Sequence, residues 1–318
     1  MLSTAVIIAT DQPQHTSSLI IDRPKAMFPV VGKPLVVRVM EQLYQAGIRH
    51  FFVIVGVNEG AVAQYLHKSW KPDAKIELSL LTPMDDLWMV LQRIATQVGE
   101  PFILTTYNSV AQENYGQSLL RSYTRQPADM LLTATRKTLG ELREAVYADD
   151  DADSITLSDR QAAFTLHDLA VVGGTFTEFL HTANPASKAE LRHNFWGIVR
   201  HYLSKYPSRN RLLETSWIMK LTTDTDLLLL NERFLEAQHD SHILSELPLS
   251  VKIIQPVRID PQVTVGENAI IGPNVYLERG TRIGNGAKIS HTMVLTRSVV
   301  PANAELKNTI VTPRGQLK

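Results

Sequence analysis

The 318-residue sequence contains no cysteine. That excludes disulfides, thiolate zinc sites, iron–sulfur clusters and a cysteine nucleophile, and it is compatible with a reducing compartment. An excess of charge is also missing, because 32 Lys and Arg balance 32 Asp and Glu. A neutral chain has no global attraction to nucleic acid or to an anionic membrane surface, so neither is expected as a partner. No stretch approaches the roughly 18 uninterrupted apolar residues of a membrane span, and the N-terminus lacks the basic flank of a signal peptide. The chain therefore reads as soluble and cytoplasmic. Its 44% hydrophobic and 20% charged residues fit a globular protein rather than a disordered one, and its length suggests two domains.

Strand-like and helix-like segments alternate over the first 240 residues or so. Ala5–Ala9, Phe51–Val55, Ile76–Leu80, Pro101–Thr105 and Asp129–Thr135 are short apolar runs of the kind that form buried strands. Pro34–Ala46 carries Leu35, Val36, Val39, Met40 and Leu43 at helical spacing, with Pro34 suited to the first turn and Gly47 to the stop. Glu59–Trp70, Asp85–Val98 (with Asp85 as N-cap) and Ser187–Tyr206 read as further helices. Such alternation predicts a mainly parallel sheet with helices on both faces. The acid run Asp149-Asp150-Asp151-Ala152-Asp153 reads as a solvated hairpin loop, the alternative being a site for a hard cation.

From Val257 the period changes to six. Val257, Val263, Ala269, Val275, Thr281, Ala287, Met293 and Val299 share one register, and Ile259, Val265, Ile271, Leu277, Ile283, Ile289 and Leu295 follow two residues behind. Gly266, Gly272, Pro273-Asn274, Gly280, Gly284 and Asn285-Gly286 fill the turns. A fixed hexapeptide period is the signature of a parallel β-helix. The expected domains are residues 1–247 and 250–315.

The block Asp22-Arg23-Pro24-Lys25-Ala26-Met27-Phe28-Pro29-Val30, followed by Gly32-Lys33-Pro34-Leu35, resembles the R-P-K block of the sugar-phosphate nucleotidyltransferases (NDP-sugar pyrophosphorylases). Ala46-Gly47-Ile48-Arg49 and the run Val53–Val55 continue the resemblance. So do Trp217, Thr223, Asp226-Leu227-Leu228, Asn231 and Phe234-Leu235, as does the C-terminal hexapeptide region. The resemblance covers nearly the whole chain. It implies a Rossmann-like α/β domain followed by a short left-handed β-helix. It also implies a reaction in which a sugar 1-phosphate oxygen attacks the α-phosphorus of a nucleoside triphosphate and pyrophosphate leaves. In that family a glycine loop cradles the phosphates, a loop Arg and the block Lys neutralise charge, and two Asp residues hold Mg²⁺.

At those positions this chain departs from the family. The loop falls on Ala9-Thr10-Asp11-Gln12-Pro13-Gln14-His15, where Asp11 and Pro13 replace glycines and His15 replaces the Arg. Proline has no N–H to offer a phosphate. The base-pocket segment near Thr82–Trp88 has no glycine. One metal Asp becomes Asn108 or Ser109, and the other becomes Lys220. Losing one electrostatic element of a preorganised site costs about 10²–10³ in rate, so the combined loss predicts a catalytically degenerate homologue.

The expected role is a nucleotide- or sugar-nucleotide-binding or regulatory subunit, as a homo-oligomer or beside an active relative. Candidate phosphate-binding residues are Thr10, His15, Lys25, Asn108 and Lys220, with no catalytic residue assigned and no metal ligand. No cofactor is expected; Mg²⁺ belongs to the alternative of an active enzyme with rearranged ligands. A scaffold without a small-molecule ligand is the third reading. Lys25 reads either as a phosphate ligand or as a fold-keeping surface lysine, Lys220 as a fixed cation or a salt-bridged core-edge lysine, and Asn108 as a ligand or a turn residue. His15 and His291 read as loop and coil residues in preference to a phosphate donor and an acyltransferase base. Trp88 and Trp217 read as packing.

Overall fold

A computed structural model of the chain describes residues 2–10, 23–82, 85–136, 146–151, 154–158, 164–183, 194–237 and 242–317. Its contacts gather into two units. The first takes the described residues within Met1–His15, Pro24–Met27 and Val36–Thr222; the second takes those within Thr16–Arg23, Phe28–Leu35 and Thr223–Lys318.

The elements begin with β1 (Thr4–Ile8), a single 3-10 turn at Lys25–Met27, β2 (Pro29–Val30), β3 (Lys33–Pro34), α1 (Leu35–Gln45), β4 (His50–Gly56), α2 (Gly60–Ser69) and β5 (Lys75–Leu81). They continue with α3 (Leu87–Val98), β6 (Phe102–Thr106), β7 (Ser109–Ala111), α4 (Tyr115–Arg125), β8 (Met130–Thr135), β9 (Val146–Asp151), β10 (Ser154–Ser158) and β11 (Phe164–Val172). Then come α5 (Gly174–Thr182), α6 (Phe195–Lys205), β12 (Asn210–Glu214), β13 (Ile218–Lys220) and α7 (Asp224–Glu236).

The first unit is built on a sheet of order β10-β9-β11-β6-β1-β4-β5, with β8 on the other edge of β11 and β12 on β8. Every residue of β1, β6 and β8 is buried, the pattern of strands covered on both faces. On one face Val6, Ile8, Phe52 and Leu104 pack with Leu91, Ile94, Phe176, Phe179 and Ile198 of α3, α5 and α6. On the other, Phe51 meets the Trp70 ring edge-on with centroids 4.9 Å apart, and Trp70 meets Tyr44 of α1 at 5.7 Å. Strands β1, β4, β5 and β6 run parallel. The sheet is nonetheless mixed, because β11 runs antiparallel to β6, β8 and β9. That strand is masked in the sequence by His167-Asp168, which interrupt its apolar run.

Two local expectations are corrected. Helix α3 is capped by Asp86, whose Oδ1 accepts from the Met89 N–H at 2.8 Å, and not by Asp85, whose carboxylate accepts from Thr82 Oγ1 at 2.8 Å. The extended backbone of Asp86 lets its side chain reach back over the first turn. The acid run enters β9 with Asp149–Asp151, in an antiparallel hairpin with β10; Ala152 and Asp153 lie outside the described residues.

The second unit is a parallel β-helix. Its strands are β14 (Lys252–Ile253), β15 (Val257–Ile259), β16 (Thr264–Val265), β17 (Ile270–Ile271), β18 (Val275–Leu277) and β19 (Arg282–Ile283). They are followed by β20 (Lys288–Val294), β21 (Val299–Val300), β22 (Glu305–Thr312) and the antiparallel β23 (Gly315–Leu317). Val257 pairs with Val275, Thr264 with Arg282 and Ile270 with Lys288, so three hexads make one turn. After Ile289 the register slips by one. Gly272-Pro273-Asn274 separate Ile271 from Val275, whereas only Ser290-His291 separate Ile289 from Thr292, and Val275 therefore pairs with Thr292. The hexad reading fails from that corner on: Val294 and Val300 enter the coil core in place of Met293, Leu295 and Val299, and Val299 is 63% exposed.

Helix α7 belongs to this second unit, where Thr223 and Asp226 form a capping box at its start. Its Asn231 grips the β2–β3 hairpin. Asn231 Oδ1 accepts from the Val31 N–H at 2.8 Å, and Nδ2 donates to Pro29 O at 3.2 Å and Leu227 O at 2.9 Å. Val31 and Gly32 hold left-handed φ angles of 44° and 79° in the hairpin turn, and a Cβ at Gly32 would collide with the Arg258 guanidinium. Arg23 donates both terminal nitrogens to Glu278, at 2.7 and 3.0 Å. Removing Asn231 strands a buried N–H and a buried carbonyl. Asn231→Ala should therefore lower stability by about 2–4 kcal/mol, read from the urea midpoint at constant slope; a loss under about 0.5 kcal/mol, within the range of an ordinary surface substitution, would show that the clamp is dispensable.

Candidate functional site

Strand order reverses at β1, with β4 and β5 on one side and β6 on the other. In an open α/β sheet such a reversal leaves a crevice beyond the carboxyl ends of the strands. Here it is lined by Ile8 of β1 and Thr10 just beyond it, Thr106 of β6 with Tyr107 and Asn108 after it, Asp168 from β11 and Lys220 from β13. Its volume is about 10 Å³, room for a single water molecule.

Backbone pairing brings these distant positions together. The Tyr107 N–H donates to Ile8 O at 3.0 Å, holding the ends of β1 and β6 together. The chain then turns into β7, which pairs antiparallel with β13 so that Lys220 lies opposite Ser109. Asn108 closes that ladder: its carbonyl accepts from the Leu221 N–H at 2.9 Å, and its Nδ2 donates to Leu221 O at 2.8 Å. Asp168 arrives through a bulge, the pairing of β11 with β8 breaking between His167 and Ala170. Bulges re-aim side chains in this way.

Asp168 is 3% exposed, so its charge must be met by donors. Lys220 Nζ lies 2.9 Å from Oδ2. Trp196 Nε1 donates to Oδ1 at 2.5 Å, and Thr106 Oγ1 donates to Oδ2 at 3.3 Å. Thr105 Oγ1 fixes the main chain by donating to Asp168 O at 2.6 Å. Trp196 stands in the first turn of α6, where Asn194 caps the helix by accepting from the Gly197 N–H at 2.6 Å.

This donor set does not suit Mg²⁺, which needs oxygen ligands in near-octahedral array. Both Asp168 oxygens already accept from N–H or O–H donors. Among the described residues no three His, Asp or Glu side chains gather to hold a metal. Next to Asp168, His167 is buried. Its Nε2 lies 2.7 Å from Thr135 Oγ1, and its Nδ1 has no partner among the described residues. Burial pushes the imidazole down to about 3, opposed by the Asp168 charge and aided by that of Lys220, so the ring is neutral at ordinary pH.

Of the sequence-derived candidates, Thr10, Asn108 and Lys220 meet in this crevice, and Lys220 is salt-bridged. Lys25 does not line it. Lys25 opens the 3-10 turn at 5% exposure, which corrects its reading as a surface lysine. His15 lies outside the described residues, as do Asp11, Pro13, Pro83 and Met84. Trp88 is a packing residue whose Nε1 donates to Leu180 O at 3.1 Å, and Trp217 O accepts from the Gln112 N–H at 3.3 Å. His291 Nδ1 lies 3.0 Å from Glu232 Oε1 of α7. Sequence reasoning missed Asp168, Trp196 and Thr106. The available signal was Asp168 itself, a charge inside a nine-residue apolar run.

Two outcomes follow from the burial. Lys220→Met leaves Asp168 without its counter-charge and should cost about 3–5 kcal/mol, while Lys220→Met with Asp168→Leu should recover most of it; equal urea midpoints for wild type and the single variant would contradict this. Because His167 titrates lower when folded than its ordinary 6.5, the unfolded chain binds its proton first. The contribution of this group to stability is complete above pH 6.5 and falls by about 1.4 kcal/mol per unit as pH drops toward 3. His167→Gln should flatten that slope, as measured by urea melts at stepped pH.

The model of the GMPPB C-terminal domain matches residues 253–318. The bifunctional protein GlmU of Carboxydothermus hydrogenoformans is 23% identical over 91% of this chain and 66% of its own length. A protein of Schizosaccharomyces pombe classed as a mannose-1-phosphate guanyltransferase is 32% identical over 26% of this chain and 20% of its own length. The chain thus spans under two thirds of each of these relatives. Among solved structures, a protein of Bacillus anthracis classed as a glucose-1-phosphate thymidylyltransferase, in complex with sucrose, superposes with a TM-score of 0.63 at 13% identity, over 77% of this chain and 98% of its own. The inositol-1-phosphate CTP transferase of T. maritima superposes with a TM-score of 0.58 at 13% identity, over 71% of this chain and 91% of its own.

Proposed function

For a chain related to the sugar-phosphate nucleotidyltransferases, we propose a role as a nucleotide- or sugar-nucleotide-binding subunit that does not itself transfer a nucleotidyl group. The observation that carries this reading is the ion pair of Lys220 Nζ and Asp168 Oδ2 at 2.9 Å. It stands in the crevice at the position where the resemblance implies a metal-binding carboxylate. An ammonium there repels a divalent cation. The ancestral reaction needs charge neutralisation on the leaving pyrophosphate, and one ammonium already engaged by a carboxylate supplies little. With nucleoside triphosphates, sugar 1-phosphates and Mg²⁺, the protein should release no pyrophosphate; turnover of about 1 s⁻¹, an ordinary enzymatic rate, would refute the reading.

A second reading is favoured by Asp168 itself, a carboxylate in the same crevice that the motif alignment does not anticipate. If Lys220 leaves it when a triphosphate enters, Asp168 becomes a ligand and the chain an active nucleotidyltransferase. The two readings differ in metal dependence. Under the first, UDP-glucose or GDP-mannose binds with equal affinity in EDTA and in Mg²⁺; under the second, affinity by calorimetry rises at least tenfold with Mg²⁺. We also propose that the protein works as a homo-oligomer or beside an active relative. Light scattering at micromolar concentration should give the full chain at least twice the mass of one copy, and a monomer would leave pairing with a relative as the only form of this idea.

A further inference from the structure

The second unit contains a cavity of about 450 Å³, within the range of about 300–1,000 Å³ usual for small-molecule sites. Phe28, Leu295 and Pro313 form an apolar wall, and Arg23, Arg297, Thr296 and Thr312 supply the polar side. Among the described residues no carboxylate lines it.

The two guanidinium groups are not equivalent. Arg23 is pre-oriented, because Glu278 accepts from both its terminal nitrogens, at 2.7 and 3.0 Å. Glu278 is itself fixed by the Thr296 N–H, which donates to its Oε2 at 2.7 Å. Arg23 has five N–H donors, and these two bonds leave others free to face the cavity. Arg297 lies at the corner between β20 and β21, with a left-handed φ of 62°. It is exposed, and among the described residues its side chain has no hydrogen-bond or ion-pair partner. Glu278 neutralises Arg23, so among the described residues Arg297 gives the cavity one uncompensated positive charge. A planar guanidinium recognises phosphate by two parallel N–H···O bonds.

We infer that this cavity binds a phosphate monoester carried on a flat aromatic body, with Arg297 and Arg23 on the phosphate and Phe28, Leu295 and Pro313 against the ring. The site lies wholly within the second unit and is independent of the crevice around Asp168.

Calorimetric titration of the full chain at low salt, with AMP, adenosine and inorganic phosphate as probes, tests this. AMP should bind at least tenfold more tightly than either fragment, since each fragment engages only one side of the cavity. Arg297→Ala, at an exposed corner where misfolding is not expected, should weaken AMP at least tenfold, and Arg297→Glu more. The double variant Lys220→Met with Asp168→Leu, in which no buried charge is left unpaired, should leave AMP binding unchanged. The inference is overturned if AMP gives no heat at millimolar concentration, if both Arg297 variants bind AMP as wild type does, or if only the folded double variant fails to bind. That last outcome would assign AMP to the first unit and leave the proposed function standing. Loss in the Arg297 variants alone, with no nucleotide sugar bound elsewhere, would sustain this site while removing that proposal.

Discussion

A carboxylate taken out of water must find donors on every side, and Asp168 finds them from elements distant in the sequence. Lys220 approaches from β13, Trp196 from α6 and Thr106 from β6, while Asp168 itself is delivered by the bulge in β11. The bulge, the cap of α6 and the β7–β13 ladder are all required for those donors to converge. Breaking a buried pair by removing one partner is far more damaging than replacing both. The geometry of the crevice is thus constrained by electrostatics as well as by packing. In this arrangement both carboxylate oxygens accept from N–H or O–H donors.

Several residues that carry the likeness to the nucleotidyltransferases serve the architecture of the second unit. Asn231 pins the hairpin after the R-P-K block, Gly32 leaves room for Arg258, Asp226 closes a capping box, and Arg23 docks on Glu278. Each makes backbone or ion-pair contacts that the fold needs whether or not chemistry occurs. Two of the positions that differ from the family, Asn108 and Lys220, lie together in the crevice of the first unit. A fold can be retained while the site it carries changes.

Much of this was legible in the residues. Buried strands such as Thr4–Ile8 and Phe102–Thr106 announce themselves as short apolar runs, and the β-helix announces itself by its period. The meeting of Asn108 with Lys220 was legible only through the motif alignment, since nothing local to either residue specifies β7–β13 pairing. What stayed hidden has physical causes. Asp168 was invisible because a bulge overrides the alternation on which strand reading rests. The one-residue slip at Ser290-His291 was invisible because Met293 and Leu295 remain apolar and buried even though they leave the coil core. The cap of α3 fell one residue late because Asp85 and Asp86 are chemically identical, and only backbone geometry separates them.

The central claim is that a lysine ammonium stands where the family resemblance implies a metal, and Lys220→Asp tests it most directly. That substitution places a second carboxylate beside Asp168 and gives the crevice two carboxylates in place of an ion pair. Its melting temperature should fall in EDTA, through like-charge repulsion in a buried site, and rise again with millimolar Mg²⁺. The wild-type melting temperature should be the same in both buffers. A wild-type protein stabilised by Mg²⁺, or a Lys220→Asp variant indifferent to it, would contradict the account.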